Sequence, residues 1–377
     1  MPDKHIHIVS FDIPWPPNYG GVIDVFYKVR TLHRLGIKVH LHCYEYPGRD
    51  PAPELNDFCE EVLYYPRKTG ILSALSLKPY IVSSRRSEEL MKNLLKDDHP
   101  ILFEGLHSCY YMDDPRLAGR IKVYRESNIE HRYYFNLFKV DPNLKKKLYF
   151  LLASFKLLFY QRVLRHSDLM LAVSKYDADY LAEKFPGRKV VYLPSFHTNE
   201  KVTSQSGRGD YALYHGNIEV PENEYAAKFL ANEVFDKQGI PFIIAGMNPR
   251  EIFYKMAENN HSISLIPNPT DEEMFSLISN AHVNILVTFQ ATGLKLKLLN
   301  TLYQGRYCLV NNAMLTGTGL EDLCVVGNSA TELRAKLEEL FSKEFDDKEN
   351  ERRHQVLLEN YDNLLNGKRL VELVFNC

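Results

Sequence analysis

Apolar positions in this chain fall into two kinds of pattern. Short unbroken runs, such as HIHIVS at residues 5–10, read as strands buried on both faces. Between them lie longer stretches in which apolar residues recur every three or four positions, as amphipathic helices do. The first strand breaks at Pro14, Pro16 and Pro17 and reaches Gly20-Gly21. A helix is expected over 22–35, stopped by Gly36. Strands are then expected at 38–46, 101–106, 121–126, 169–174 and 190–194, with helices over 144–164 and 175–185. Residues 198–210, TNEKVTSQSGRGD, are polar and read as a linker. The alternation restarts beyond it, with strands at 211–215, 241–245, 263–266, 283–288 and 307–311. A helix is expected over 223–235, and Asp271 is a candidate N-cap for another over 272–279. A last helical pattern covers 346–375. Repeated strand–helix alternation predicts an α/β fold of two Rossmann-like, doubly wound domains. The expected division is 1–197, a linker at 198–210, a second domain at 211–350, and a terminal helical segment at 351–377 that returns to the first domain.

The length of 377 residues fits two cores better than one. A net charge of -2 argues against a dedicated nucleic-acid binder. The six cysteines include no C-x-x-C pair, and no histidine spacing completes a zinc motif, so a metal site is not expected. That usage fits a reducing, cytoplasmic setting. The N-terminal stretch has no apolar signal core, and no segment has the length and apolarity of a membrane span. The protein is expected to be cytoplasmic, or peripheral on the inner face of a membrane.

The richest chemistry lies in ATGLKLKLLNTLYQGRYCLVNN, residues 291–312. A glycine turn entering a helix leaves backbone N–H groups free for an anion, and Lys295 and Lys297 add positive charge. Ligands of open α/β sheets bind beyond the carboxyl ends of the strands. With two such sheets, the expected site is the cleft where those ends face each other.

Several segments, in order and over nearly the whole length, resemble the retaining GT-B glycosyltransferases of the GT4 group. They are PWPPNYGGVIDVFYKVRTLHRLG, RESNIEHRYY, SDLMLAVSKYDADYL, YHGNIEVPENEYAAKFL, FIIAGMNP and TGLKLKLLNTLYQGRYCLVNN. The resemblance implies transfer of a sugar from a nucleotide-diphosphate sugar to a glycan or lipid-linked acceptor, without a bound metal or other cofactor. The C-terminal domain would hold the donor through Gly216, Thr292, Gly293, Lys295, Lys297 and Asn300. The N-terminal domain would face the acceptor with Tyr19, Gly20, Gly21, Asn128 and Glu130. Arg125, His131 and His107 are the catalytic candidates by residue type, with Glu104 expected to steady Arg125.

Two departures stand out. Thr292 and Asn300 occupy positions where the group has glutamates, which allows an altered nucleotide preference, weaker donor binding or lost catalysis. The loop GNIEVPEN at 216–223 lacks the cations that many relatives place there. A GT-B chain that binds sugar nucleotide or glycan without turnover is therefore an alternative, with a nucleotide-sugar 2-epimerase a further one. A dinucleotide dehydrogenase is disfavoured, since no G-x-G-x-x-G follows the first strand. Finally, residues 145–165 flank an aromatic, apolar middle with basic ends. They fit either a packed helix or one resting on anionic lipid near a lipid-linked acceptor.

Overall fold

A computed structural model describes residues 3–46, 48–141, 143–236, 239–289 and 295–376. The chain forms two compact units. The first comprises residues up to Thr198 together with those from Asn360 on, and the second runs from Asn199 to Glu359.

The first unit is a seven-stranded sheet. Its strands are β1 (His5–Ser10), β2 (Lys38–Tyr44), β3 (Glu61–Tyr65), β4 (Ile101–Glu104), β5 (Lys122–Glu126), β6 (Leu169–Ala172) and β7 (Lys189–Tyr192), in spatial order β3-β2-β1-β4-β5-β6-β7. Every pairing is parallel. Alternate residues of each strand face opposite layers. Ile6, Ile8, Val39, Leu41, Leu102, Val123 and Leu171 pack with Val25 and Val29 of helix Gly20–Arg34 and with Leu370 and Val374 of helix Asn363–Phe375. Val9, Phe103, Tyr124 and Met170 pack on the other face with Leu90, Met91 and Leu94 of helix Glu88–Leu94.

The second unit is a six-stranded parallel sheet. It contains β8 (Ala212–Asn217), β9 (Phe242–Met247), β10 (Ile263–Pro267), β11 (Val283–Leu286), β12 (Tyr307–Val310) and β13 (Val325–Val326), ordered β10-β9-β8-β11-β12-β13. The doubly wound α/β class expected from the pattern is present twice. In each sheet the strand order reverses next to the first strand of the unit, between β1 and β4 and between β8 and β11.

The structure revises several expectations. Helix Gly20–Arg34 begins at Gly20, so both glycines lie inside its first turn rather than before it. The expected linker is not a free tether. Thr203 N donates to Tyr303 O at 2.7 Å, and Gly207 N to Phe345 O at 2.8 Å, which fastens it to the second unit. The N-cap expected at Asp271 is Thr270, which forms a capping box with Glu273. The terminal helical pattern is two helices, Asp347–Tyr361 and Asn363–Phe375, the second capped by Asp362.

Candidate functional site

In the first unit the residues beyond β1, β4 and β5 meet at the switch point, where open α/β sheets bind ligands. Phe11 follows β1, and its ring lies 5.5 Å from that of His107, which follows β4. A Cβ on Gly21 would come within 2.5 Å of the Phe11 ring, so only glycine lets the helix start approach β1 this closely. Gly105 turns the chain out of β4 at φ 67°, and a Cβ there would sit 3.1 Å from His107 Nδ1. The reversal that brings His107 back over the strand end thus needs glycine on both counts.

His107 Nδ1 lies 3.8 Å from Glu130 Oε1. Burial, with Arg85 and Arg67 nearby, pushes the His107 pKa well below its ordinary value. Burial raises Glu130 to about 8, with Arg85 opposing. Near neutral pH both groups are therefore uncharged, and the 3.8 Å approach is not an ion pair. His107 Nδ1 is buried without a hydrogen-bond partner among the described residues. A buried polar atom left unpaired is costly and calls for an explanation.

Arg85 is buried and donates twice to the Phe11 carbonyl, at 3.0 and 2.8 Å, which holds its charge against the cluster. Tyr19 donates to Asp12 Oδ2 at 2.6 Å. It serves as N-cap of helix Gly20–Arg34 without a side-chain cap, so the first-turn N–H groups at Gly20 and Gly21 have no capping acceptor from it. Asn128 lies on the same side of the sheet, its backbone N–H donating to Glu126 at 3.0 Å.

Two of the catalytic candidates are placed elsewhere. Arg125 is fully buried. It donates to both Asp24 oxygens, at 3.1 and 3.0 Å, and to the carbonyls of Leu193 and Pro194. It points to the opposite face of the sheet from Phe103 and Tyr124, because its position in β5 has the parity of Val123. Glu104 does not hold it: Glu104 pairs with Lys28 at 2.6 Å, and Lys28 with Asp24 at 2.9 Å. His131 packs against Tyr180 with ring centroids 5.8 Å apart, and burial lowers its pKa to about 4. None of its partners is one of His107's. Neither is part of the cluster around His107.

In the second unit a polar group forms beyond β8 and β11. Lys297 sits in the first turn of helix Leu296–Gln304. Its Nζ donates to Asn223 Oδ1 at 3.0 Å and lies 5.2 Å from the Tyr214 ring. Gly216, at the end of β8, leaves room beside the Asn223 amide. Lys297 thus places a cation beside the 216–223 loop from another element. Burial, then Lys295, lowers the Lys297 pKa to about 8, while Glu222 raises it. Glu222 accepts a hydrogen bond from Thr288 across the switch point. Lys295 is the N-cap residue of the same helix. Asn300 faces inward, its Oδ1 accepting from Asn199 Nδ2 at 2.8 Å. Thr292 and Gly293 lie outside the described residues. Sequence reasoning missed Arg85, Phe11, Glu222 and the exposed aromatic pair Tyr225–Phe289, whose centroids are 4.7 Å apart. None of these belongs to a spaced motif.

Two doubly wound units in one chain, each with a polar group at the carboxyl ends of its central strands, define the GT-B architecture. Solved structures of that architecture superpose over nearly the whole chain. Sucrose-phosphate synthase from Thermosynechococcus elongatus gives a TM-score of 0.71 at 13% identity, covering 99% of both chains. TarM gives 0.69 at 9% identity over 98% of both. HepE from Anabaena, in complex with UDP and glucose, gives 0.65 at 10% identity over 99% of both. Among curated proteins the chain is 26% identical over 335 residues to an uncharacterized 44.6 kDa protein in the cps region of Klebsiella pneumoniae, covering 83% of this chain and 84% of the other. No protein-family model matches the chain.

Proposed function

We propose that the protein is a glycosyltransferase that moves a sugar from a nucleotide-diphosphate sugar to a glycan or lipid-linked acceptor. The observation that carries this reading is the His107 cluster. It offers a partly exposed imidazole whose shielded Nδ1 is unpaired, an adjacent carboxyl and a fixed guanidinium, at the carboxyl edge of a sheet that superposes on sugar-transferring enzymes. In this reading His107 contacts the acceptor or transferred sugar, and Arg85 sets the electrostatics around it. Lys297 and the first turn of its helix hold the donor diphosphate. The resemblance to the GT4 group carries with it retention of configuration and transfer without a bound metal.

The test is thermal stabilisation by a panel of UDP, GDP, ADP, CMP and TDP forms, UDP first because HepE is complexed with it. One nucleotide should raise the melting point selectively, and Lys297→Ala should abolish the shift. The shift should weaken as pH rises through about 8, where Lys297 loses its proton. Silence across the panel would sink the donor reading. A non-catalytic, sugar-nucleotide-binding role is favoured by one observation, the commitment of Asn300 Oδ1 to Asn199. Donor hydrolysis or transfer would exclude it.

The first unit also carries an apolar surface that fits attachment to an anionic membrane. Leu72 and Leu77 are 84% and 97% exposed, and Leu148, Leu152, Phe155 and Phe159 are exposed on helix Leu144–Tyr160. An apolar groove of about 720 Å³ runs between the two segments, and Lys156 Nζ bridges them by donating to Ser76 O at 2.9 Å. Lys145 and Lys146 stand exposed beside it. No helix among the described residues is long and apolar enough to cross a membrane. Apolar side chains with a basic rim suit the headgroup boundary. The protein should sediment with phosphatidylglycerol vesicles and not with phosphatidylcholine vesicles. A Leu72→Ser, Leu77→Ser, Phe155→Ser variant that still sediments would refute the attachment.

A further inference from the structure

At the amino edge of the first sheet, the end away from His107, five histidines gather on one face. The strand period of two puts His5 and His7 of β1 and His40 and His42 of β2 on the same side, and the register pairs His7 with His40. His99, in the loop entering β4, stacks on His5 with ring centroids 4.6 Å apart. The face they share continues into Val9 and Tyr44, so the ladder is the polar end of a layer that is otherwise apolar core.

The inner and outer members of this ladder differ. His7 and His42 form a closed chain. The Tyr65 hydroxyl is 2.8 Å from His42 Nδ1, His42 Nε2 is 2.8 Å from His7 Nδ1, and His7 Nε2 is 2.9 Å from Asp97. All four ring nitrogens are engaged, and Asp97 is fixed further by Arg120 at 3.2 Å. In the outer set, His5 Nδ1 lies 2.9 Å from His40 Nε2, and His40 Nδ1 lies 2.8 Å from Glu61 Oε1. The His99 ring makes no hydrogen bond among the described residues. His5, His40 and His99 are each partly exposed, and each offers a ring nitrogen within 4.8 Å of the other two.

We propose that His5, His40 and His99 form a binding site for a transition-metal dication of the Zn²⁺, Co²⁺ or Ni²⁺ type. Three imidazoles suit such ions better than Mg²⁺ or Ca²⁺, which prefer oxygen ligands. Two nitrogens on a tetrahedral Zn²⁺ at about 2.0–2.1 Å lie about 3.3 Å apart, so the His5–His40 pair needs to open only slightly. Glu61 on the far nitrogen of His40 is the carboxylate–histidine–metal arrangement that fixes the tautomer and raises ligand basicity. Water completes the coordination. The three ligands come from β1, β2 and the loop before β4, so the ion would clamp together segments far apart in sequence. The site is separated from the His107 cluster by the length of β1, about 16 Å at about 3.3 Å per residue. It is therefore a stabilising site, apart from the transfer chemistry. It does not rest on the transferase reading.

The experiment uses the full chain without an affinity tag, stripped with chelator and titrated with Co²⁺ and then Zn²⁺. One equivalent of Co²⁺ should give the visible bands of a low-coordinate ion, Zn²⁺ should displace it, and Zn²⁺ should raise the melting point. Glu61→Gln should weaken Zn²⁺ binding about 10–100-fold. His99→Ala should abolish the Co²⁺ bands, while exposed His166→Ala should leave them unchanged. Should His40→Ala fail to fold, His99→Ala decides, because His99 sits on a partly exposed loop and its circular dichroism can be checked against the parent. No binding at micromolar Zn²⁺ would overturn the proposal, and so would undiminished binding in the His5→Ala, His99→Ala variant.

Discussion

Two polar clusters lie on opposite sides of the same sheet, one rooted in β4 and β5 and the other in the loops beyond them. On one face Asp24, Lys28, Glu104 and Arg125 form a network of two carboxylates and two cations, all buried and all paired. Although burial alone would raise it, Arg125 and Lys28 hold the Asp24 carboxyl well below the usual range, and Asp24 also accepts from Phe196 N at 2.7 Å. On the other side His107 and Glu130 approach to 3.8 Å near Arg85, and His107 Nδ1 has no hydrogen-bond partner among the described residues. The first cluster is complete within the protein and fastens the chain where it leaves the sheet at Leu193 and Pro194. The second leaves His107 Nδ1 without a partner among the described residues. Residue type does not separate them. The completeness of their partners does.

Mutations should split the two faces. His107→Ala should cut transfer about 10²–10⁴-fold, as removal of a positioned acid–base or polar group does, with the melting point nearly unchanged. Arg125→Ala should do the reverse. It leaves Asp24 and Glu104 sharing the single cation Lys28 in the core and should cost about 3–5 kcal/mol in denaturant unfolding, while the folded fraction keeps its turnover. Equal activity losses in both, measured per folded molecule, would erase the distinction.

The smallest effect is the most specific. Glu130 has a folded pKa raised to about 8 from its ordinary 4.5. The folded state thus holds a proton more tightly than the unfolded chain. Its contribution to stability is intact below pH 4.5 and erodes as pH rises to about 8. Glu130→Gln mimics the protonated carboxyl and escapes that erosion. Its melting point should match the parent at low pH and exceed it by a few degrees at pH 8. A constant offset at every pH would mean that Glu130 titrates normally.

Much of the fold was readable because central parallel strands are nearly unbroken apolar runs, as at Leu169–Ala172 and Val283–Leu286. The edge strand Glu61–Tyr65 was not, since its EVLYY is only half-buried and lacks a clean period. Val325–Val326 is too short to carry a pattern. Tyr19, Gly20, Gly21, Asn128, Glu130 and His107 were legible through their place after strand ends. Arg125 misled because sequence shows where a residue sits along a strand but not what waits on its face. Arg85 and the outer histidines could not be found from spacing, because their partners are brought together only by the sheet. Lys297 was legible as a cation, but its reach to Asn223 was not.

The helix Asn363–Phe375 carries one last consequence. Gly367 sits so close to helix Gly20–Arg34 that a Cβ would come within 2.5 Å of Thr31, and Leu370 and Val374 complete the core around β1. The earlier of these segments therefore waits for the later one. On the ribosome the second unit has its whole sequence available before the first does, so the order of maturation inverts the order of synthesis. A nascent chain that stalls after residue 359 would present the first sheet with one layer incomplete, a natural target for chaperones and quality control.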